Sequence, residues 1–341
     1  MLIEFLGTAG PSGWPEPGCP CASCGGLPQG HRRPTEIVVD GVRLDPDAAH
    51  PGLLFHRAST AEAAGSTDVP GSTDVAGSAG AARPTDTASF AGVAGSAGVA
   101  GAFEVVVADL DGLPGLLAGL RARGLVTPAT RVFAVGVDHR VRSEEELARR
   151  LAYWGARAVP DGTVVDTRQS ATEPPVARRA LVLGGSRSGK SAEAELRLLA
   201  EPHVTYVATG PSGEDDPEWR ARVEAHQTRR PARWATLETT DLAGAIEKAT
   251  TPLLIDGLGT WIASVMWTDG ERLAERCDEL VTAWRHAPTR IVAVSDEVGL
   301  GVVPSTSSGR AFRDALGALN QRLAAESEDV TLVIAGRVMR L

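Results

Sequence analysis

The sequence predicts an α/β fold: a mostly parallel sheet with helices on both faces in the C-terminal half, joined to a smaller N-terminal α/β domain. Three observations carry this. From residue 179 onward, short apolar runs alternate with helical periods, the rhythm of repeated strand–helix units. Before residue 167, strand-like pieces and two amphipathic helices form a separate group. Between its two parts lies a segment of Ala, Gly, Ser, Thr, Asp and Val with almost no large apolar side chains. The predicted organisation is a first piece over 1–56, an insertion over 57–101, a continuation over 102–166, a linker over 167–178 and a second domain over 179–341.

In chain order, "LIEFLGT" (2–8) reads as a strand and leads into a Gly/Pro/Cys loop. "TEIVVDGVRLD" (35–45) alternates apolar and polar residues around a turn at Asp40-Gly41. The segment "GSTDVPGSTDVAGSAG" (65–80) repeats Gly-Ser-Thr-Asp-Val, and "FAGVAGSAGVAGAF" (90–103) repeats Ala-Gly-Val. Such a composition buries too little to offset ordering entropy, so a flexible insertion is expected; irregular helical turns are the alternative. "FEVVVADLDG" (103–112) and "TRVFAVGVD" (130–138) read as strands. "LPGLLAGLRARG" (113–124) reads as a helix ended by Gly124. "SEEELARRLAYWGA" (143–156) reads as another, with Ser143 and Glu146 at capping-box spacing.

In the second domain, "RALVLGG" (179–185), "HVTYVAT" (203–209), "PLLID" (252–256), "RIVAVSDEV" (290–298) and "VTLVIAG" (330–336) are the predicted strands. Helices are expected over 191–200, 217–228 (Asp216 as N-cap, Pro217 at the first position) and 309–327.

Bulk composition narrows the function. The chain has 341 residues, 43% hydrophobic and 23% charged, with a net charge of −9. That acidity argues against general binding to nucleic acid or anionic membranes, so any anion site must be a local basic pocket. No apolar run is long enough for a membrane helix, and the opening "MLIEFLGTAG" lacks a basic leader region. Four cysteines in a chain this long do not make a disulfide scaffold, and a reducing cytoplasm is the expected compartment.

"GGSRSGKS" (184–191) fits G-x-x-x-x-G-K-[ST] and stands between a predicted strand and a helix. That context marks a phosphate-binding P-loop of the NTPase type. Gly184, Gly185, Ser186, Arg187, Ser188 and Gly189 would present backbone N–H groups to phosphates. Lys190 would add a point charge at the terminal phosphates, and the Ser191 hydroxyl would ligate Mg²⁺. Asp256, at the end of "LLID", is where such a fold needs a carboxylate for Mg²⁺ or its waters. The bland reading of Asp256 is a turn residue before Gly257.

His226 lies in "RARVEAHQTRRP" (220–231), among Arg220, Arg222, Arg229 and Arg230. On a helix from 217, it shares a face with Trp219 and Val223, the mark of a core histidine. Yet Arg222, Arg229 and Arg230 are also helix neighbours, and cations hold an imidazole neutral and ready to attack phosphorus. Pattern alone leaves both readings standing.

A resemblance separates them. "GGSRSGKS", "YVAT" (206–209), "RVEAHQTRRPARW" (222–234), "LLIDGLGTW" (253–261), "SDEVGLGVVP" (295–304) and "GRAFRDALGALNQRLA" (309–324) occur in one order. Together they resemble the bifunctional adenosylcobinamide kinase / adenosylcobinamide-phosphate guanylyltransferase of cobalamin synthesis. The resemblance implies phosphorylation of adenosylcobinamide by ATP or GTP. GTP then guanylylates a histidine, and GMP passes to adenosylcobinamide phosphate. The matching histidine is His226. Nucleotide contacts are implied at Gly184 to Ser191, Val207, Ala208, Thr209, Gln227, Thr228, Arg229, Arg230, Glu238 and Asp256, with Mg²⁺ at Ser191 and Asp256. A trimer is implied as well. This chain departs from the family pattern at Gly257 and Gly259, where Cys and Thr are usual, at Ser264, where Asn is, and at Asp296, often Asn. The P-loop by itself also fits another small-molecule kinase or a non-catalytic nucleotide-binding module; neither needs the His226 segment.

"LGTAGPSGWPEPGCPCASC" (6–24) is similar to the opening of metallo-β-lactamase-fold phosphodiesterases. Those enzymes hold two metals with a His-x-His-x-Asp-His cluster, which this sequence lacks. A degenerate, non-hydrolytic domain is expected. Cys19, Cys21 and Cys24 are a candidate set for a structural Zn²⁺, with His31 as candidate fourth ligand; the alternative is a loop with free thiols.

Overall fold

The structure is a computed structural model, and it describes residues 1–45, 50–57, 101–169, 176–210 and 230–341. Most of the 57–101 insertion, part of the 167–178 linker and the predicted helix over 217–228 lie outside the described residues. The described residues form two compact units. One runs through Val176 and takes in Leu199–Pro202; the other comprises Ala177–Leu198 and His203–Leu341.

The first unit contains two sheets. Strands β1 (Leu2–Gly7), β2 (Glu36–Val39), β3 (Val42–Arg43) and β7 (Thr163–Asp166) form an antiparallel sheet in the order β3-β2-β1-β7. β4 (Leu53–His56), β5 (Val105–Asp109) and β6 (Arg131–Val135) form a parallel one. The β2–β3 turn is made by Asp40 (φ 48°) and Gly41 (φ 83°), both left-handed, as a tight hairpin requires.

Alternate residues face a shared core: Ile3 and Phe5 of β1, Ile37 and Val39 of β2, Val105 and Val107 of β5, and Phe133 and Val135 of β6. The Phe5 and Phe133 rings lie 5.0 Å apart at the centre of that core. On the other face of the parallel sheet, Val106, Ala108, Val132 and Ala134 are equally buried. Helices α1 (Leu113–Ala122) and α2 (Glu144–Tyr153) supply buried apolar faces through Leu113, Leu117, Leu120, Leu147 and Leu151. Ser143 caps α2 by accepting from Glu146 N–H at 3.2 Å, while the Glu146 carboxylate takes the N–H of Arg142 rather than that of the cap residue.

The second unit is a seven-stranded sheet in the order β10-β9-β11-β12-β8-β13-β14. Its strands are β8 (Arg179–Gly184), β9 (Thr205–Ala208), β10 (Ala235–Glu238), β11 (Leu253–Asp256), β12 (Ile291–Asp296), β13 (Asp329–Ile334) and β14 (Arg337–Arg340). All neighbours are parallel except the β13–β14 hairpin at one edge. The central strands carry buried apolar side chains on both faces, as the unbroken runs in "RALVLG" and "IVAVSD" require.

Helices α3 (Lys190–Leu198), α4 (Leu242–Glu247), α5 (Leu258–Asp269), α6 (Leu273–Arg285) and α7 (Ser307–Ala325) connect them. The apolar stripe of α6 (Cys277, Leu280, Val281, Trp284) and that of α7 (Leu316, Leu319, Leu323) enter one core with Ile255, Trp261 and Ala293. The amphipathic spacing thus places each helix on the sheet. Arg197, 1% exposed, ties α3 to β13 through Asp329 (2.7 Å) and Thr331 (3.1 Å). Removing one partner of so buried a charge would cost about 3–5 kcal/mol.

Candidate nucleotide site

The site lies along the carboxyl edge of the parallel sheet, where open α/β folds bind ligands. β8 ends at Gly184 and α3 starts at Lys190, so residues 185–189 form the strand-to-helix loop. Two positions there have left-handed backbones: Arg187 (φ 56°) and Gly189 (φ 97°). Gly184 is required by crowding: a Cβ would lie 2.4 Å from Ser188 Oγ and 2.7 Å from the Val333 carbonyl oxygen. Gly336 N–H donates to the Ser188 carbonyl at 2.8 Å and braces the loop from the β13–β14 turn. Gly185, Ser186, Arg187 and Gly189 are exposed, and Ser188 is buried.

Lys190 folds back across this loop. Its Nζ donates to the Gly185 carbonyl at 3.1 Å and pairs with Asp296 Oδ1 at 2.8 Å. β12 lies between β8 and β11, so Asp296 at its tip stands between the loop and Asp256. Gly259 makes room for that carboxylate: a Cβ there would come within 2.6 Å of Asp296 Oδ2. The residues at 259 and 296 therefore constrain each other in space. Gly257 has its own reason, a φ of 102° and a Cβ position 2.3 Å from Thr260 Oγ1. Ser264 is half-buried within α5.

Asp256 ends β11 with two hydroxyls on its carboxylate. Ser191 Oγ is 3.3 Å from Oδ1, and Tyr206 donates to Oδ2 at 2.8 Å. Burial, reinforced by the Asp256 charge, pushes the Tyr206 phenol well above its usual range, so it stays a donor. The Arg230 guanidinium lies 3.6 Å from the centre of the Tyr206 ring. Thr209 donates to the Gly257 carbonyl at 2.8 Å, fixing the end of β9 against the turn after β11.

Val207 is fully buried in the core, so only its backbone is available to a ligand. Ala208 and Glu238 are register partners at the ends of β9 and β10. The fold thus brings residues 184–191, Val207, Ala208, Thr209, Arg230, Glu238 and Asp256 to one sheet edge. His226, Gln227, Thr228 and Arg229 lie outside the described residues. Tyr206 and Asp296 were not singled out from the sequence as site residues. A tyrosine in a strand reads as core, and an ion pair between residues 190 and 296 has no local signature.

Ser191 and Asp256 offer adjacent oxygen donors of the kind Mg²⁺ takes. They fit the requirement for a metal at a triphosphate.

In the first unit, the three thiols predicted as a metal set do converge. Cys19, Cys21 and Cys24 lie with His139, their ligand atoms all within 4.8 Å of one another. The fourth group is not His31, whose Nε2 sits 2.8 Å from Glu144 Oε1. Arg32 holds the same carboxylate at 2.6 and 2.7 Å, so residues 31 and 32 are anchored to α2 instead.

Comparison with known proteins locates the site in a family. Residues 180–341 match the model of the cobinamide kinase / cobinamide phosphate guanyltransferase family. The bifunctional adenosylcobalamin biosynthesis protein CobP of Pseudomonas aeruginosa is 41% identical over 170 residues, 48% of this chain and 96% of that protein. The bifunctional adenosylcobalamin biosynthesis proteins CobU of Salmonella typhimurium and Escherichia coli are 35% and 32% identical, each over 46% of this chain and 95% of their own length. The loop, Lys190, Ser191 and Asp256 all fall within the residues matched by the family, and with these relatives covered over 95% or more of their length, the chain belongs to the cobinamide kinase / cobinamide phosphate guanyltransferase family.

Proposed function

We propose that the second unit phosphorylates adenosylcobinamide with ATP or GTP and then transfers GMP from GTP to adenosylcobinamide phosphate, through a guanylyl-histidine at His226. The bifunctional kinase and guanylyltransferase of adenosylcobalamin biosynthesis is the activity of the family to which these residues belong. The observation that carries the reading is the convergence of Lys190, Ser191 and Asp256 at one sheet edge. In the first step the substrate hydroxyl oxygen attacks the γ-phosphorus and the bond from that phosphorus to the β–γ bridging oxygen breaks. The nucleoside diphosphate leaves, and the hydroxyl proton is released to solvent. Lys190 would move from Asp296 to the terminal phosphates, and the loop N–H groups would hold the β-phosphate. Ser191 and Asp256 would hold Mg²⁺, which supplies charge neutralisation to the triphosphate. Tyr206 orients Asp256 through its hydrogen bond. The direct test supplies adenosylcobinamide and GTP to the full chain and follows both products by mass. Adenosylcobinamide-GDP is expected; its absence alongside intact GTP binding would refute the reading.

The Lys190–Asp296 pair leads to a second measurable outcome. Once Lys190 turns to a triphosphate, the Asp296 carboxylate faces like charge. Asp296→Asn should therefore tighten GTP binding about fivefold, a gain on the order of 1 kcal/mol for a half-exposed charge. Calorimetric titration of both proteins with Mg·GTP checks this; weaker binding by the variant would place Asp296 among the groups that hold the metal.

We read the first unit as a degenerate metallo-β-lactamase-like domain, with 1–56 and 102–166 as its two pieces. The facing sheets with a shared core support that reading. Its strand-end carboxylates are taken up by arginines: Asp109 by Arg57 (3.1 Å), and Asp111 and Asp138 by Arg140 (3.2 and 2.7 Å). Carboxylates so paired, without the histidine cluster, offer no two-metal centre among the described residues. No turnover of a generic phosphodiester is expected with Mn²⁺ or Zn²⁺. Metal-stimulated hydrolysis that survives deletion of residues 177–341 would overturn this.

A further inference from the structure

We propose that the first unit carries a structural zinc ion bound by Cys19, Cys21, Cys24 and His139. Four observations support the site. The four ligand atoms lie within 4.8 Å of one another. A tetrahedral zinc with Zn–S near 2.3 Å sets its ligand atoms about 3.8 Å apart, so small side-chain rotations complete the cage. Three thiols and one imidazole are a ligand set that selects zinc over hard cations. All four positions are filled by protein, which marks a structural rather than a catalytic ion.

The surroundings are built for those side chains. Cys21 Sγ accepts the N–H of Cys24 and Cys24 Sγ that of Glu16, each at 3.4 Å, contacts that orient both sulfurs. Glu16 also places Oε2 2.8 Å from His139 Nδ1, so a carboxylate stands beside the ring. The two chain segments are registered independently of any ion. Trp14 Nε1 donates to Ser23 Oγ (2.9 Å), and Ser23 Oγ donates to the Val141 carbonyl (2.5 Å). The turn bearing His139 is fixed by Arg140, which bonds Asp138 on its own turn and pairs with Asp111. Zinc would thus join the loop at 19–24 to the turn at 138–141, segments more than 100 residues apart in sequence. Uptake converts three thiols to thiolates and releases their protons, with no change of oxidation state.

The test is metal analysis of the full chain purified from zinc-supplemented culture and dialysed without chelator. About one zinc per chain is expected, released by a mercurial thiol reagent. Cys277→Ser should keep the full complement, because Cys277 is buried in α6 of the other unit. Cys21→Ser and Cys24→Ser should lose it. Because those variants can fail to fold, two further measurements stand apart from them. Replacement of zinc by Co²⁺ in the unmodified chain should give the intense visible bands of a tetrahedral thiolate site. His139→Cys should retain the metal and strengthen the thiolate-to-cobalt charge-transfer band. Sub-stoichiometric zinc, an octahedral cobalt spectrum, or a His139→Cys spectrum identical to that of the unmodified chain would each overturn the proposal.

Discussion

Replacing Lys190 by Ala is expected to lower both the kinase and the guanylyl-transfer rates by about 100-fold or more. Both reactions break a bond within a nucleoside triphosphate, and both leaving groups carry charge away from the transferred phosphorus. Lys190 is the cation that α3 delivers to the loop, and its Nζ already lies 3.1 Å from the Gly185 carbonyl. The bond to Asp296 shows that the amine reaches beyond the loop toward the neighbouring strand tip. Truncation leaves the loop geometry to Gly184, Ser188 and Gly336, so nucleotide binding should weaken less than turnover. The measurement is single-turnover transfer from labelled GTP and ATP, with nucleotide affinity in parallel. Guanylyl transfer at the unmodified rate would restrict the loop to the kinase step.

The second large effect concerns His226. His226→Ala is expected to abolish the covalent GMP adduct while leaving part of the kinase activity. A ring nitrogen attacks the α-phosphorus, the bond from that phosphorus to the pyrophosphate oxygen breaks, and the imidazole loses its N–H proton. The nucleophile must be neutral, and the flanking arginines of "RARVEAHQTRRP" favour that state. The same arginines offset the negative charge that repels an attacking lone pair. Arg230, the member of the set within the described residues, stacks on Tyr206 beside Asp256, which brings one of these cations to the sheet edge. The product is a phosphoramidate, labile in acid and stable in base. Intact mass after GTP incubation, followed by peptide mapping, decides the matter. An adduct on another residue, or normal transfer by the variant, would return His226 to the part of a helix-face histidine.

What could be read in advance followed from local pattern. The strands of the second unit are apolar runs, and a run such as "ALVLG" flanked by a glycine loop has one sensible conformation. Lys190, Ser191 and the loop glycines were legible because their spacing is itself the mechanism. Asp256 was legible only behind that loop. β4 and β7 were missed because they are four-residue strands whose identity rests on pairing with distant partners, β5 and β1. β10 was missed for the same reason: "ATLE" is exposed along its length and exists through its ladder with β9. His31 was chosen beside the cysteines because it is near them in sequence. His139 is near them in space, and no periodicity connects residue 24 to residue 139.

The order of strands also governs when the nucleotide site comes into being. β8 precedes every other strand of its sheet in the chain, yet both of its neighbours, β12 and β13, are made more than 100 residues later. Closing contacts of that span is slow, because loop entropy must be overcome before any ladder bond forms. During synthesis the glycine loop therefore waits, with its strand unpaired on both sides, until β12 has emerged, and β13 after it. Even then its brace, the N–H of Gly336, arrives only after β13. A nascent chain that stops short of β12 would hold the complete motif in its sequence and still be unable to grip a triphosphate.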